Sequence, residues 1–320
     1  MRRFITGMTV LALVGAGAGC GSSSDDDAAT TGGGNDQVKV GIIPIVDVAP
    51  IFLGQQQGFF ANRKIELTME SGQGGAAIVP GVVSGQFQFG FSNMTSLMAA
   101  QSSGAPLKAV ANGVASTGRL GRDFSAVMVA DGSPIRSPRD LVGKRVAVNT
   151  LKNIGDTTVR QSVRKDGGDA KNIAFEPMPF SDMPGALLSG RVDAVWVVEP
   201  QLSETLTQGG QVIASNFVDT APDLTVALYF TGTATIAKDP GLVSRFTAAV
   251  NESLRYASGH PDEVRAILST YTKISDIVKI SLILPNWSGG INRSSLETLA
   301  SLGRADGVFA KPPDLNQLLP

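Results

Sequence analysis

The chain reads as an α/β protein of two lobes, each a mainly parallel sheet flanked by helices. Three observations carry that prediction. From Val38 onward short apolar runs alternate with helix-patterned stretches, with glycine at the turns. Such alternation makes a parallel sheet covered on both faces. The decapeptides VVSGQFQFGF (Val82 to Phe91) and LLSGRVDAVW (Leu187 to Trp196) each join a helix end, a Ser-Gly step and a strand, each in the middle of its own block. Finally, 320 residues suffice for one large or two modest domains.

In the first block VKVGIIPI is a strand, and Pro50 opens a helix that carries Ile51 and Phe52 to the core. IELTMES is the next strand, AAIVPGVVSG a helix and FQFGFS a strand; NMTSLMAAQSSG is a helix with a glycine stop, and LKAVANG a strand. A proline in mid-helix costs about 3 kcal/mol, so Pro80 implies a helix that starts near Ile78 or kinks there. In the second block KRVAVNT, IAFEPMPF, VDAVWVV and GQVIAS are strands, with helices starting near Asp156, Ser181 and Pro200. Ser181 and Asp182 are N-capping types, and Pro184 suits a first turn. The C-terminal third is helix-rich; in PGLVSRFTAAVNESLRYAS, Leu242, Phe246, Ala249, Val250 and Leu254 share one face.

The N-terminus has a different character. Arg2 and Arg3 precede a Gly-rich apolar run shorter than the roughly 20 residues of a bilayer span, which fits an export signal over residues 1–19. Small residues lead into Cys20, as in a bacterial lipobox, although Gly17 stands where that pattern prefers Leu or Val. An ordinary secretory signal with an incidental cysteine is the alternative. Residues 20–37 are polar and Gly-rich and read as a flexible tether. Cys20 is the only cysteine, which excludes an internal disulfide and a thiolate metal cluster. With Arg2 and Arg3 removed, 25 of the 27 basic side chains face 28 acidic ones, and nothing suggests a nucleic-acid partner.

Four segments in order, VKVGIIPIVDVAPIFLGQQQGFFANRKIELTMESGQGG, VVSGQFQFGFSN, LVGKRVAVNT and ALLSGRVDAVWVVEPQLSE, resemble the periplasmic-binding-protein-like lipoproteins that feed ABC importers. Within these the chain is similar to the branch that binds nitrate, sulfonates, taurine and thiamine-pyrimidine precursors. The resemblance spans Val38 to the C-terminus. It implies a type II two-lobed fold with two crossover strands, near Asp123 to Ala130 and Leu224 to Thr231. Lobe 1 would comprise residues 38–125 and 228–320, and lobe 2 residues 126–227. It also implies a monomer anchored by lipid at the extracytoplasmic face of the cell membrane, serving an ABC permease without a cofactor.

The candidate site residues sit where strands become helices, because helix N-termini offer unpaired N–H groups and partial positive charge. ELTMESGQGGAAIV contains Gly72, Gly74 and Ala77 in a G-x-G-x-x-A spacing. A dinucleotide site would also need an acidic residue about 20 positions on, where FSNMTS has none. Gly74 and Gly75 instead let the backbone approach some other ligand. Asp47 is either an acceptor for a ligand amine or amide, or a cap for the Pro50 helix. Ser92, Asn93 and Thr95 are caps that can also face a cleft. Asn149, Thr150, Asn153, Asp156 and Thr157 form the corresponding polar loop of the second block, with Asp156 equally readable as a cap. Trp196 is a stacking platform or a core residue, and Glu199, in the EP element, is placed by the resemblance near the cleft or hinge.

Asp47, Asp156 and Glu199 outnumber the one nearby base, Lys152, so the expected ligand is a small polar or heterocyclic nitrogen compound rather than an ion-paired anion. Backbone donors alone can still hold an anion. Catalysis finds little support. The sole histidine, His260, lies in SGHPDE far from the candidate loops, and no G-x-S-x-G turn is present. The resemblance reaches pyrimidine-synthesising enzymes of similar fold, whose cysteine-rich iron motif is missing here, and no metal site is expected. A ligand-sensing receptor domain is the other alternative.

Overall fold

The protein is described by a computed structural model covering residues 34–287 and 290–320. The export-signal segment, Cys20 and most of the expected tether lie outside the described residues. Two five-stranded sheets share one plan. The first has the order β2 (Ile65–Ser71), β1 (Asp36–Ile42), β3 (Phe89–Asn93), β10 (Thr225–Gly232), β4 (Leu107–Ala115). The second has the order β7 (Ala174–Pro177), β6 (Arg145–Val148), β8 (Ala194–Val198), β5 (Ser125–Val129), β9 (Gln211–Ala214). In each sheet four strands run one way, and the strand arriving from the other sheet's half of the chain is inserted antiparallel, second from the edge. Those two strands, β5 and β10, are the crossovers. The repeated decapeptides end in β3 and β8, and each of these strands pairs with its sheet's crossover strand.

Small offsets separate this plan from the pattern of apolar runs. β1 begins at Asp36 rather than Val38, because Asp36 and Gln37 already pair in register with Ile65 and Glu66. Residues 225–227 pair with β4 and β3, so they belong to the first sheet.

Helices α1 (Ala49–Gln56), α2 (Gly75–Val83) and α3 (Met94–Ser102) follow the first three strands. In the second half come α4 (Ile154–Lys165), α5 (Met183–Leu188), α6 (Gln201–Thr207) and α7 (Asn216–Thr220). The rest of the chain supplies α8 (Thr233–Lys238), α9 (Pro240–Gly259), α10 (Pro261–Ile267), α11 (Asp276–Ser281), α12 (Arg293–Ala305) and α13 (Leu315–Leu318). α2 begins at Gly75, ahead of Ile78, and continues past Pro80 to Val83. The proline deletes one amide donor, but Ile78, Val79 and Val82 are buried, and that burial holds the helix in place. α9 buries the expected face: Phe246 stacks flat on Phe89 at 3.7 Å, and both rings are fully buried. Gly54 of α1 lies so close to α9 that a Cβ there would sit 1.8 Å from Ser253 Oγ.

The C-terminal segment is not confined to the first lobe. α11 packs on α6, and α12 packs on α3 as well as on α4 and α7. Asp306 pairs with Arg164 of α4. Asn286 bridges Ala115, while the Ile283 amide donates to Glu199 Oε1 at 3.0 Å. This strap lies across both sheets' helices. No helix among the described residues is long and apolar enough to cross a membrane.

Candidate functional site

The strand-to-helix loops of the two sheets meet each other. Gln73, before α2, exchanges two hydrogen bonds with Asn149, after β6: each side-chain amide donates to the other residue's carbonyl at 3.1 Å. Ser96 of α3 donates to Asn153 Oδ1 at 3.4 Å, and the Val46 amide donates to the Glu199 carbonyl at 3.0 Å. Between these bonds lies an inner cavity of about 20 Å³, room for roughly one water-sized group. Its walls come from both lobes: Ile43, Ile45, Asp47, Phe91, Asn93, Val226 and Ala227 on one side, and Asn149, Asn153, Ile154, Phe180, Trp196, Val198 and Phe217 on the other. An outer pocket of about 270 Å³ adjoins it, sharing Ile43, Ile45 and Phe180 and adding Pro44, Gly72, Gln73, Pro179, Ser181 and Gln201.

Asp47 is drawn inside by its neighbours. It sits in a 3₁₀ turn, Val46–Val48, whose two valines are fully buried, and the residue between them is only 3% exposed. It does not cap α1: neither the turn nor the helix has a side-chain cap there. Its Oδ1 has no partner among the described residues. Burial pushes the carboxyl up to about 7; its own backbone amide opposes this, and the charge of Asp123 adds to it. The Asp47 carbonyl accepts the indole N–H of Trp287 from the strap at 3.1 Å.

The other carboxylates are engaged. Asp156 closes a capping box with Asn153 at the start of α4, accepting the amides of Lys152, Asn153 and Thr157. Glu199 is fully buried; Oε1 accepts the Ser203 hydroxyl at 2.8 Å and the Ile283 amide, and Oε2 accepts the Ser203 amide at 3.0 Å. Burial holds it at about 7 against the pull of those bonds. Glu199 therefore ties α6 to the strap, and it does not line the cavity.

Asn93 caps α3 through Ser96, and Asn153 caps α4 through the Ile154 amide. Asn153 Nδ2 also donates to Asn149 Oδ1 and Thr150 Oγ1. Gly74 allows close approach across the lobes: a Cβ there would lie 2.8 Å from Asn149 Nδ2 and 3.0 Å from Thr150 Cγ2. Gly75 instead makes room within its own lobe, for Ser92, whose hydroxyl donates to the Asn93 carbonyl. Thr95 and Thr157 lie in the first turns of α3 and α4, buried, with hydroxyls that lack a partner. Trp196 is both wall and core. It is 2% exposed, donates to Ser125 Oγ at 2.9 Å, and meets Phe180 and Phe217 edge-on. Gly155 of α4 packs against its ring.

The sequence reading did not single out Phe91, Phe180, Phe217, Gln201 or Tyr229. Phe91 and Phe180 end strand-like runs beside helix starts, so the rule that found Ser92 and Ser181 reaches them by one residue. Phe217 and Tyr229 carry no such signal; Tyr229 is buried on β10 with its hydroxyl unpartnered. His260 stacks on Tyr256 at the junction of α9 and α10, away from the cavity. No cluster of His, Cys, Asp or Glu suited to a metal ion occurs among the described residues. Larger hollows, of about 380, 610 and 660 Å³, lie elsewhere, and none is lined by a buried polar side chain without a partner.

Solved structures of the same fold include the alkanesulfonate-binding protein SsuA from Xanthomonas axonopodis pv. citri bound to MOPS, with TM-score 0.73 and 16% identity over 89% of this chain and 98% of that one. The nitrate-binding protein NrtA from Synechocystis PCC 6803 gives 0.72 and 14% over 88% and 84%. A ligand-binding component of an ABC-type import system from Staphylococcus aureus, solved with zinc bound, gives 0.75 and 16% over 89% and 97%. At these identities the likeness establishes the fold. No curated protein sequence matches the chain. Residues 45–264 match the family described as NMT1/THI5 like, which is more than half of the chain, and the protein belongs to that family.

Proposed function

We propose that the protein is the extracytoplasmic substrate-binding lipoprotein of an ABC importer, capturing a small polar, nitrogen- or sulfur-containing solute by lobe closure and releasing it unchanged to a membrane permease. One observation carries this reading: a cavity walled by both lobes, held by the Gln73–Asn149 and Ser96–Asn153 bonds, with the buried Asp47 in its wall. A solute that touches both walls binds only when they are together, so its differential affinity drives closure. The similarity to the alkanesulfonate-binding protein from Xanthomonas, the periplasmic nitrate-binding protein from Synechocystis and the import-system component from Staphylococcus supports the transport context. Asp47, Asn93, Asn149, Asn153 and Trp196 are the proposed contact residues. Gly74 and Thr150 shape the seam, and Cys20 is the proposed lipid site.

Native mass spectrometry of protein purified without denaturation tests the capture reading. The expected result is a non-covalent small molecule of unaltered mass, together with a smaller radius in X-ray scattering when it is added back to stripped protein. A bound molecule that the protein converts to another species would make it an enzyme. A broad solute panel that leaves both melting temperature and radius unchanged would remove the capture reading.

A further inference from the structure

The three asparagines of the inner cavity have their amides committed. Asn149 and Asn153 clasp the opposite lobe and one another, and Asn93 is spent on Ser96. Asp47 Oδ1 is what remains: a buried acceptor with no donor among the described residues. In the adjoining outer pocket Gln201 Oε1, on a side chain 8% exposed, is likewise unpartnered. The Gln201 amide can turn to present either end, but an ionised carboxylate has no donor to offer. No lysine, arginine or histidine lines either hollow.

We propose that the two hollows form one site for a small organic cation, an amine or amidine, with its N–H head on Asp47 and its uncharged body in the outer pocket. This deepens the solute-capture reading and rests on it. The inner cavity has room for one nitrogen of an ammonium or amidinium head, and the outer pocket offers Ile43, Pro44, Ile45 and Phe180 to the rest of the molecule. Ile43, Ile45 and Phe180 stand in the walls of both, so one occupant would contact all three. A sulfonate or nitrate has no hydrogen to give and would meet oxygen with oxygen, without a cation to offset it. The groups facing Asp47 agree: Asp123, in the link from β4 to β5, adds negative charge, and the phenols of Tyr229 and Tyr271 stay protonated, because burial and Asp47 itself push both upward. The Asp47 carboxyl titrates at about 7 when no cation is near. Binding a cation requires the ionised form, so affinity rises as pH passes upward through that region.

Isothermal titration with benzylammonium, benzamidinium and butylammonium, against benzenesulfonate, butanesulfonate and nitrate, tests the proposal. The cations should bind, about tenfold more tightly near pH 8 than near pH 6. Asp47→Asn, confirmed folded by circular dichroism, should weaken them by about thirtyfold near pH 8 and flatten the pH dependence. Binding of the anions instead, stronger as pH falls, would mean a protonated Asp47 donating to them; that overturns the proposal and leaves solute capture standing. Failure of both series also overturns it, and the scattering and mass-spectrometric results then decide separately whether any solute is captured.

Discussion

Two loops of the molecule invite comparison, the one from β1 to α1 and the one from β8 to α6. Each carries a carboxyl close before a proline, Asp47 before Pro50 and Glu199 before Pro200. The loops touch, through the Val46 amide on the Glu199 carbonyl. In both, burial holds the acid near 7. They differ in what the oxygens do. Glu199 accepts three hydrogen bonds and is part of the frame, whereas one oxygen of Asp47 accepts none. Burial and a raised pKa do not by themselves distinguish a site from a strut; the role proposed for Asp47 rests on its unpartnered oxygen together with its place in the cavity wall.

The sharpest way to break that comparison is to remove the charge from Asp47. Its carboxyl is raised from an unfolded value of 3.8 to about 7, so the ionised form is the one the fold disfavours. The sign follows: the penalty is absent below the unfolded value, grows as pH rises and is complete above about 7. Asp47→Asn should therefore match the parent in acid and exceed it by roughly 4 kcal/mol near pH 8. Urea denaturation across that range measures it. A variant less stable at every pH would show that the unpaired oxygen is already serving the fold.

Glu199 should behave differently from the same chemistry. Glu199→Ala leaves the Ser203 amide and hydroxyl and the Ile283 amide without their acceptor. Near pH 5 this should cost roughly 3 kcal/mol. The parent's own acid rises from 4.5 to about 7, so the parent loses stability over that window as pH increases. The deficit of the variant should accordingly shrink towards pH 8. An equal deficit at both pH values would contradict the reading of Glu199 as a desolvated acid.

These two residues also mark how far sequence alone could reach. The alternation of strands and helices and the repeated decapeptide were legible because periodicity and glycine turns are local signals, whereas the two crossings came only with the family resemblance. Pro80 was readable as a conflict but not as its outcome, since the burial of Ile78 and Val82 that settles it is tertiary. Both carboxyls could be found in strand-to-helix loops, yet their different fates depended on partners 4, 84 and 240 positions away: Ser203 and Ile283 for Glu199, and Trp287 on the Asp47 carbonyl. Asp156 fits the local grammar of a capping box, and there the structure has it. Phe217, on α7, and Tyr229, on the inserted strand β10, reach the neighbourhood of the cavity only through tertiary arrangement, which no window of sequence displays.

The smallest predicted effect concerns the seam that brings the two loops together. Gly74 has an extended backbone, φ −177°, which alanine adopts without strain, so the substitution acts through space alone. Its new methyl would press on Asn149 Nδ2 and Thr150 Cγ2, both contributed by the opposite lobe. Each lobe keeps its own packing, and only their union is disfavoured, by about 1 kcal/mol, the low end for added volume because an amide and a methyl can give way. Gly74→Ala should raise the radius of gyration measured by X-ray scattering, while the urea midpoint barely moves. Gly75→Ala provides the contrast. Its methyl would strike Ser92 Oγ within the same lobe, so it should lower stability without opening the molecule. If both glycine variants behave alike, the contact between Gln73–Gly74 and Asn149–Thr150 is not the seam on which the lobes part, and closure must be governed from the strap instead.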